Sequence, residues 1–239
     1  MIKTKMGKKL NAMLKKKLKH VYNLKPILIF KDGCKYSGMT KKDPKNSNKL
    51  IPEGLGYAIW PDGQYYEGQY KNGFFHGWGQ YTSPNSHILA GVWKNNFIIE
   101  GEMRWNDGRH YLGKFKKSKY HGKGSMNYSD NSLYVGNWKD NVADGNGELT
   151  ILKSNKYDKK GTILKGKFKK GQMNGKFKKV FPNGSIMDCI FVNGVCTKGK
   201  WKNEVFDSGT LDISFSKNRM IVENCHFKSG DDYLLISGS

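Results

Sequence analysis

Arginine is scarce in this chain. Of its 42 basic residues only Arg104, Arg109 and Arg219 are arginine, and the remainder are lysine. Bidentate reading of bases favours the planar guanidinium, whereas lysine acts as a hydrated point charge, so sequence-specific nucleic-acid recognition is argued against. Long apolar runs are missing too, which excludes a transmembrane helix of about 18 residues or more, and no leader with a continuous apolar middle is present. The four cysteines (Cys34, Cys189, Cys196, Cys225) show no Cys-x-x-Cys spacing and read as reduced thiols. No glycine-rich phosphate loop followed by Lys-Ser/Thr occurs. His20, His87, His110 and His226 have no second ligand or carboxylate at metal-like spacing, so neither a metal nor a cofactor is expected. With no candidate catalytic residue, the chain does not read as an enzyme.

What is abundant is a recurring unit. Its clearest copy is Gly63-Gln64-Tyr65-Tyr66-Glu67-Gly68-Gln69-Tyr70-Lys71-Asn72-Gly73-Phe74-Phe75-His76-Gly77-Trp78-Gly79-Gln80-Tyr81. The central Tyr-x-Gly-x-aromatic returns around Gly91, Gly113, Gly136 and Gly166, and in worn form at Met187-Asp188-Cys189-Ile190-Phe191. Successive glycines from Gly68 to Gly136 are 23, 22 and 23 residues apart, and Gly166 follows after 30. A period in the twenties with a fixed internal pattern marks stacked repeats, so the 239 residues form one array rather than separate cores.

Strand alternation puts Tyr66, Gly68 and Tyr70 on one face, and Glu67 and Gln69 on a wet face. Glycine weakens a strand unless something packs over the bare backbone, and the neighbouring rings suit that role. Asn72-Gly73 is a hairpin signal, because both central residues of the favoured turn need φ > 0. Each repeat therefore predicts one antiparallel hairpin. Asp-Gly pairs (Asp62-Gly63, Asp107-Gly108) predict turns in which Asp meets local backbone donors. His76 and His121 recur at one register, as structural residues do and catalytic bases do not.

The Tyr-x-Gly-x-aromatic core, the His-Gly-x-Gly segments (His76-Gly77-Trp78-Gly79, His121-Gly122-Lys123-Gly124) and the Asp-Gly turns together resemble the MORN (membrane occupation and recognition nexus) family. The match runs from about Ile27 to about Leu211. The resemblance implies scaffolding, cytoskeletal or membrane-apposition roles without catalysis. It implies an all-β fold: an elongated, single-layer, twisted antiparallel sheet of stacked repeat hairpins.

Along the chain, residues 1–26 read as a basic amphipathic helix. Lysines crowd it, no acid precedes Asp32, and apolar residues from Ile2 to Val21 follow one helical stripe. Such a helix could lie on an anionic membrane, enter a calmodulin-like groove or cap the sheet's open end. A mitochondrial presequence fits less well, because arginine and serine are lacking. The repeat array spans 27–211, with a polar loop near 40–48 and an insertion near 151–161. The second repeat, around Gly91, is one residue short and lacks its first paired glycine. Residues 212–239 alternate as closing strands that protect the final edge.

Two candidate surfaces follow. The ring face, with Tyr66, Tyr70, Trp93, Tyr111, Phe115, Tyr134, Trp138 and Phe168, predicts a groove for a protein partner presenting a helix or an extended segment. The other is an anionic-surface site formed by Lys8, Lys9, Lys15, Lys16, Lys17 and Lys19 with Lys114, Lys116, Lys165, Lys167 and Lys169. The net charge of +22 supports it, although a solvated lysine face is equally consistent with these residues. The functional expectation is a scaffold or adaptor in protein–protein or membrane–cytoskeleton association. The alternatives are a subunit of a large ciliary, axonemal or mitochondrial assembly, with its basic face against acidic protein or nucleic acid, and a phosphoinositide or anionic-lipid module. An intracellular, cytoplasmic or cytoskeleton- or membrane-associated location goes with these readings. Oligomeric state is left open.

Overall fold

The computed structural model describes residues 27–155, 158–202, 208–216, 219–229 and 232–235. The expected amphipathic helix at 1–26, with its six lysines, lies outside them. The described residues are all-β, and they divide into two compact units, one up to Lys119 and one from Tyr120.

In the first unit each strand pairs antiparallel with the next. The strands are β1 (Leu28–Ile29), β2 (Lys35–Asp43), β3 (Asn46–Ile59), β4 (Tyr65–Lys71), β5 (Phe74–Ser83), β6 (His87–Lys94), β7 (Phe97–Trp105) and β8 (His110–Lys116). The second unit continues the same way with β9 (Lys119–Asn127), β10 (Ser132–Lys139), β11 (Val142–Ile151), β12 (Ile163–Lys169), β13 (Gln172–Val180), β14 (Ile186–Val192), β15 (Val195–Lys202), β16 (Ser208–Ser216), β17 (Arg219–Ser229) and β18 (Asp232–Leu235).

Glycines form a seam across each unit. In the first, Gly38, Gly56, Gly68, Gly79, Gly91, Gly101 and Gly113 pair in succession. In the second the seam runs Gly124, Gly136, Gly147, Gly166, Phe177, Cys189, Gly199. Tyrosine rings cover parts of it: a Cβ at Gly79 would fall inside the Tyr66 phenol, and one at Gly147 inside that of Tyr134. The phenols donate in turn to a carbonyl three residues on. Tyr36 reaches Met39 (2.6 Å), Tyr66 reaches Gln69 (3.1 Å), Tyr111 reaches Lys114 (2.8 Å) and Tyr134 reaches Asn137 (3.0 Å). A buried hydroxyl with a partner avoids the desolvation cost of an orphan, so the ring can be wholly buried.

One feature absent from the sequence reading is the bulge beside each seam glycine. Gly68 faces Gly79 and Tyr70 faces Phe75, so Gln69 alone opposes His76, Gly77 and Trp78. Gly77 sits at φ 65, a left-handed conformation that glycine adopts without steric cost. Gly54, Gly145 and Gly175 occupy the same register position. In β7, where that glycine is missing, the bulge shrinks to one extra residue, Ile99 between Ile98 and Glu100. This is the physical content of the one-residue deletion.

The hairpin turns follow the expected chemistry. Asn72 and Gly73 have φ of 54 and 82, as a type I′ turn requires. Asp62 accepts from the Gln64 amide at 3.0 Å, and Asp107 from that of Arg109 at 3.1 Å. Several of the hairpin turns also donate back one period. Gly73 N reaches the Pro52 carbonyl, Asn96 N that of Phe75, Gly171 N that of Ala143 and Gly194 N that of Met173, at 2.8 to 3.1 Å.

Two sequence expectations need correction. Residues 40–48 are not a loop, because β2 and β3 extend through them to a turn at Pro44-Lys45. Ladder hydrogen bonds need no apolar side chain, and the polar composition concealed the strands. Glu67 is not on a wet surface either. Flanked by Tyr57 and Gln80 on the adjacent strands, it is 8% exposed.

Candidate functional site

The ring face is a packed layer. Tyr66 stacks on Phe75 with centroids 3.7 Å apart and meets Tyr70 (5.2 Å) and Trp93 (5.5 Å) edge-on. Tyr111 meets Phe115 at 5.1 Å. In the second unit Tyr134 meets Trp138 (5.1 Å) and Phe168 (4.8 Å). Trp93 Nε1 donates to the Gly79 carbonyl at 3.0 Å, and Trp138 Nε1 to that of Gly124 at 3.1 Å. All eight rings named from the sequence are at most 7% exposed. They line the core of their own units, so the surface that a partner could meet comes from other residues. Phe75 and Phe177, which complete this layer, were absent from the sequence-derived set. Their signal is periodic only in part, because Phe75 follows a turn and Phe177 replaces a glycine.

Burial governs the phenols electrostatically. Desolvation pushes Tyr134 up to about 12, and holds Tyr70 well above the ordinary value, with the neighbouring Tyr66 and Tyr36 adding to it. The Tyr70 hydroxyl has no hydrogen-bond partner, nor do Nδ1 of His76 and of His121. Among the described residues no group of three His, Cys, Asp or Glu could hold a metal ion, and no helix is long and apolar enough to cross a membrane.

On the opposite faces the two units differ. Lys114 and Lys116 are exposed on β8, and Lys114 faces Glu100. Around them the first unit's polar face carries Tyr57, Tyr65, Trp78, Val92 and Leu112 together with Glu67, Glu100 and Glu102. Glu102 accepts from Arg104 at 2.9 Å and meets His110 Nε2 at 3.0 Å. The hydrogen bond with His110, and then that with Arg104, holds the Glu102 carboxyl below its ordinary range.

In the second unit Lys165, Lys167 and Lys169 are exposed on β12. Lys178 pairs in register with Lys165, Lys176 with Ile190, and Ile190 with Lys198; Asp188 lies between Lys178 and Lys200. Lys165 forms an ion pair with Glu148 at 2.9 Å. Ile190, Val192 and Val195 are 39 to 51% exposed on this hairpin. The sequence-derived strand lysines thus divide between the units, and the three on β12 belong to a basic face that continues onto β13 and β15. The six lysines of 8–19 lie outside the described residues.

Lysines at strand spacing act as dispersed point charges.

Comparison with known proteins agrees with the repeat geometry. The family model described as MORN repeat matches residues 66–88, 111–133, 134–151 and 165–186. A stretch of mouse (Mus musculus) alsin is 39% identical over 57 residues, covering 22% of this chain and 3% of alsin, so the chain spans only a small part of that protein's length. The matched segments coincide with strands carrying the glycine seam and the rings over it, and the chain thus carries MORN repeats, four of them within residues 66–186.

Proposed function

We propose that the protein is a non-catalytic scaffold whose second unit attaches through its lysine face to an anionic lipid surface. MORN repeats suggest a scaffold or membrane-association role in general and are generally non-enzymatic. The observation that carries the finer reading is Ile190, an exposed apolar side chain set between Lys176 and Lys198, with Val192 and Val195 beside it. Lysines near an anionic bilayer contribute about 1 kcal/mol each, and apolar side chains among them enter the interface as the ammonium groups meet headgroups. An intracellular, membrane- or cytoskeleton-associated location follows from this reading, with the ring layer serving as the rigid frame.

Co-sedimentation with phosphatidylserine vesicles tests it. Binding is expected at low salt, falling steeply as salt rises, because exposed charges are screened beyond a Debye length. Lys176→Glu with Lys198→Glu should reduce binding several-fold, and Ile190→Ser should reduce it at high salt as well as low. Removing residues 1–22 should weaken binding more than neutralising any one strand lysine, as stable attachment takes two signals. Equal association with neutral and anionic vesicles would overturn the lipid reading. Failure to bind either, with capture of acidic protein, would give first place to the assembly-subunit alternative.

A further inference from the structure

Where the glycine seam ends in the second unit, its place is taken by a thiol with a second thiol beside it. Cys189 occupies the seam position between Phe177 and Gly199. Cys196, on the adjacent strand β15, faces Phe191, two residues from Cys189 on the same face, next to a bulge at Thr197. Both are free thiols, Cys189 buried and Cys196 half-buried. Cys196 Sγ lies 3.4 Å from the Lys198 carbonyl, which orients it. Lys179 shares this face on β13, between Leu164 and Met187, where it pairs with Asp158 at 2.5 Å.

We propose that Cys189 and Cys196 are a redox modification site, in which a hydroperoxide oxidises Cys196 and Cys189 resolves it into a reversible disulfide between β14 and β15. The chemistry divides cleanly between the two. The Cys196 thiol is drawn below its ordinary value first by the adjacent Cys189 thiol, and by the Lys179 ammonium, against the opposing effect of burial. The Cys196 thiol beside it, with burial, raises the Cys189 thiol, whose Sγ donates to the Met187 carbonyl at 3.8 Å. A thiolate is the attacking species, so Cys196 reacts first, and the better exposed sulfur is also the one that peroxide can reach. Its lone pair forms an S–O bond as the peroxide O–O bond breaks, and the departing hydroxide takes a proton to leave as water. Cys189 then attacks the sulfenic sulfur: the S–S bond forms, the S–O bond breaks, and the hydroxyl leaves with the Cys189 proton as a second water. Two thiols and one hydrogen peroxide thus give one disulfide and two waters.

A further consequence is local. The disulfide would tie together the hairpin that carries Ile190, Val192 and Val195 on its other face, although the proposal does not depend on what those residues bind.

Trypsin releases both cysteines in one peptide, Val180–Lys198, so the unmodified full-length protein carries the decisive readout. On titration with hydrogen peroxide, this peptide should lose the mass of two hydrogen atoms and resist alkylation until dithiothreitol is added. It should do so ahead of Cys34, whose thiol burial pushes up to about 11. In Cys189→Ser the sulfenic acid should persist on Cys196 and be trapped by dimedone, while Cys196→Ser should give no such adduct on Cys189. Oxidation of Cys34 at the same rate, or passage of the Val180–Lys198 peptide straight to sulfinic or sulfonic mass, would overturn the site. A dimedone adduct on Cys189 in the Cys196→Ser protein would overturn the assignment of roles.

Discussion

Two ways of covering a seam glycine stand beside each other in the second unit. Between β10 and β11 the cover comes from within the strand: Tyr134 lies over Gly136 and Gly147, tied by its hydroxyl to Asn137. Between β12 and β13 the tyrosine position is Leu164, and the partner glycine has become Phe177. The Phe177 ring lies across Gly166 from the other strand, so a Cβ at Gly166 would come within 2.5 to 2.6 Å of it. Phe177 is 3% exposed, meeting Phe168 at 5.4 Å and Phe191 at 5.1 Å. In these two hairpins an aromatic plane lies against bare backbone without having to come from a particular strand, whereas at Gly91 and Gly101 the nearest atoms are backbone. A repeat that looks decayed by its motif is intact by its packing.

The largest effect should come from removing the relocated ring. Phe177→Ala is expected to cost about 3 to 5 kcal/mol in urea unfolding, since it empties a core position and uncovers Gly166. A cost below about 1 kcal/mol would mean that the cover is dispensable. Phe177→Gly combined with Leu164→Tyr rebuilds the arrangement seen at β10 and β11, and the second change should recover at least half of the loss caused by the first. Additivity of the two would break the comparison, because residues sharing one contact should couple.

Next in size is Gly136→Val. The new Cβ would meet Tyr134 and the Gly147 backbone, 2.6 Å away, and overpacking of this kind costs about 1 to 3 kcal/mol. Tyr134→Phe should cost about 1 kcal/mol by leaving the Asn137 carbonyl without its donor, a loss that β12, with leucine at this position, cannot suffer.

The smallest effect falls on the first unit's polar face. Glu102 is held below its usual value of about 4.5 by His110 and then by Arg104, so its contribution is present above that value and is lost as pH falls through the lower, folded-state one. Acid titration of stability should therefore flatten slightly in Glu102→Gln over that window, and an unchanged acid limb would show the cluster to be inert.

The repeat and its hairpins were legible because their signals are local. Asn72-Gly73 can hardly be anything but a tight turn, and the 22- or 23-residue spacing places the seam glycines from Gly68 to Gly136. The bulges were not legible, because two residues more on one strand than on its partner appear only once Gly68 is known to face Gly79. Glu67 was misread for a related reason: period-2 alternation assigns it a face but says nothing about whether Tyr57 and Gln80 close over it. Within each unit the rings named from the sequence share a face with the seam glycines, while the depth at which they are buried depends on Phe75 and Phe177, which break the pattern. The basic face was visible at Lys165, Lys167 and Lys169. Its apolar centre, Ile190, was not, because it falls in the worn copy where the motif no longer marks the register.

The backward hydrogen bonds of the hairpin turns also bear on how such a chain can change in length. Gly73 leans on Pro52 and Asn96 on Phe75, each 21 residues behind, whereas Gly171 leans on Ala143, 28 behind. The extra residues after Ile151 leave the row of turns unbroken, because they emerge at the far end of the hairpins, where Thr162 and Ile151 close the gap. Material can thus be added at the far edge without disturbing the row of turns, and the turn edge can lengthen as well, since Gly38 and its partner Gly56 stand 18 residues apart, against 11 for Gly68 and Gly79, while Gly73 still reaches Pro52. Slippage or duplication in the gene that copies a whole period yields a chain in which every turn finds an equivalent acceptor. Lineages carrying this architecture can therefore differ in number of hairpins and in hairpin length at either edge.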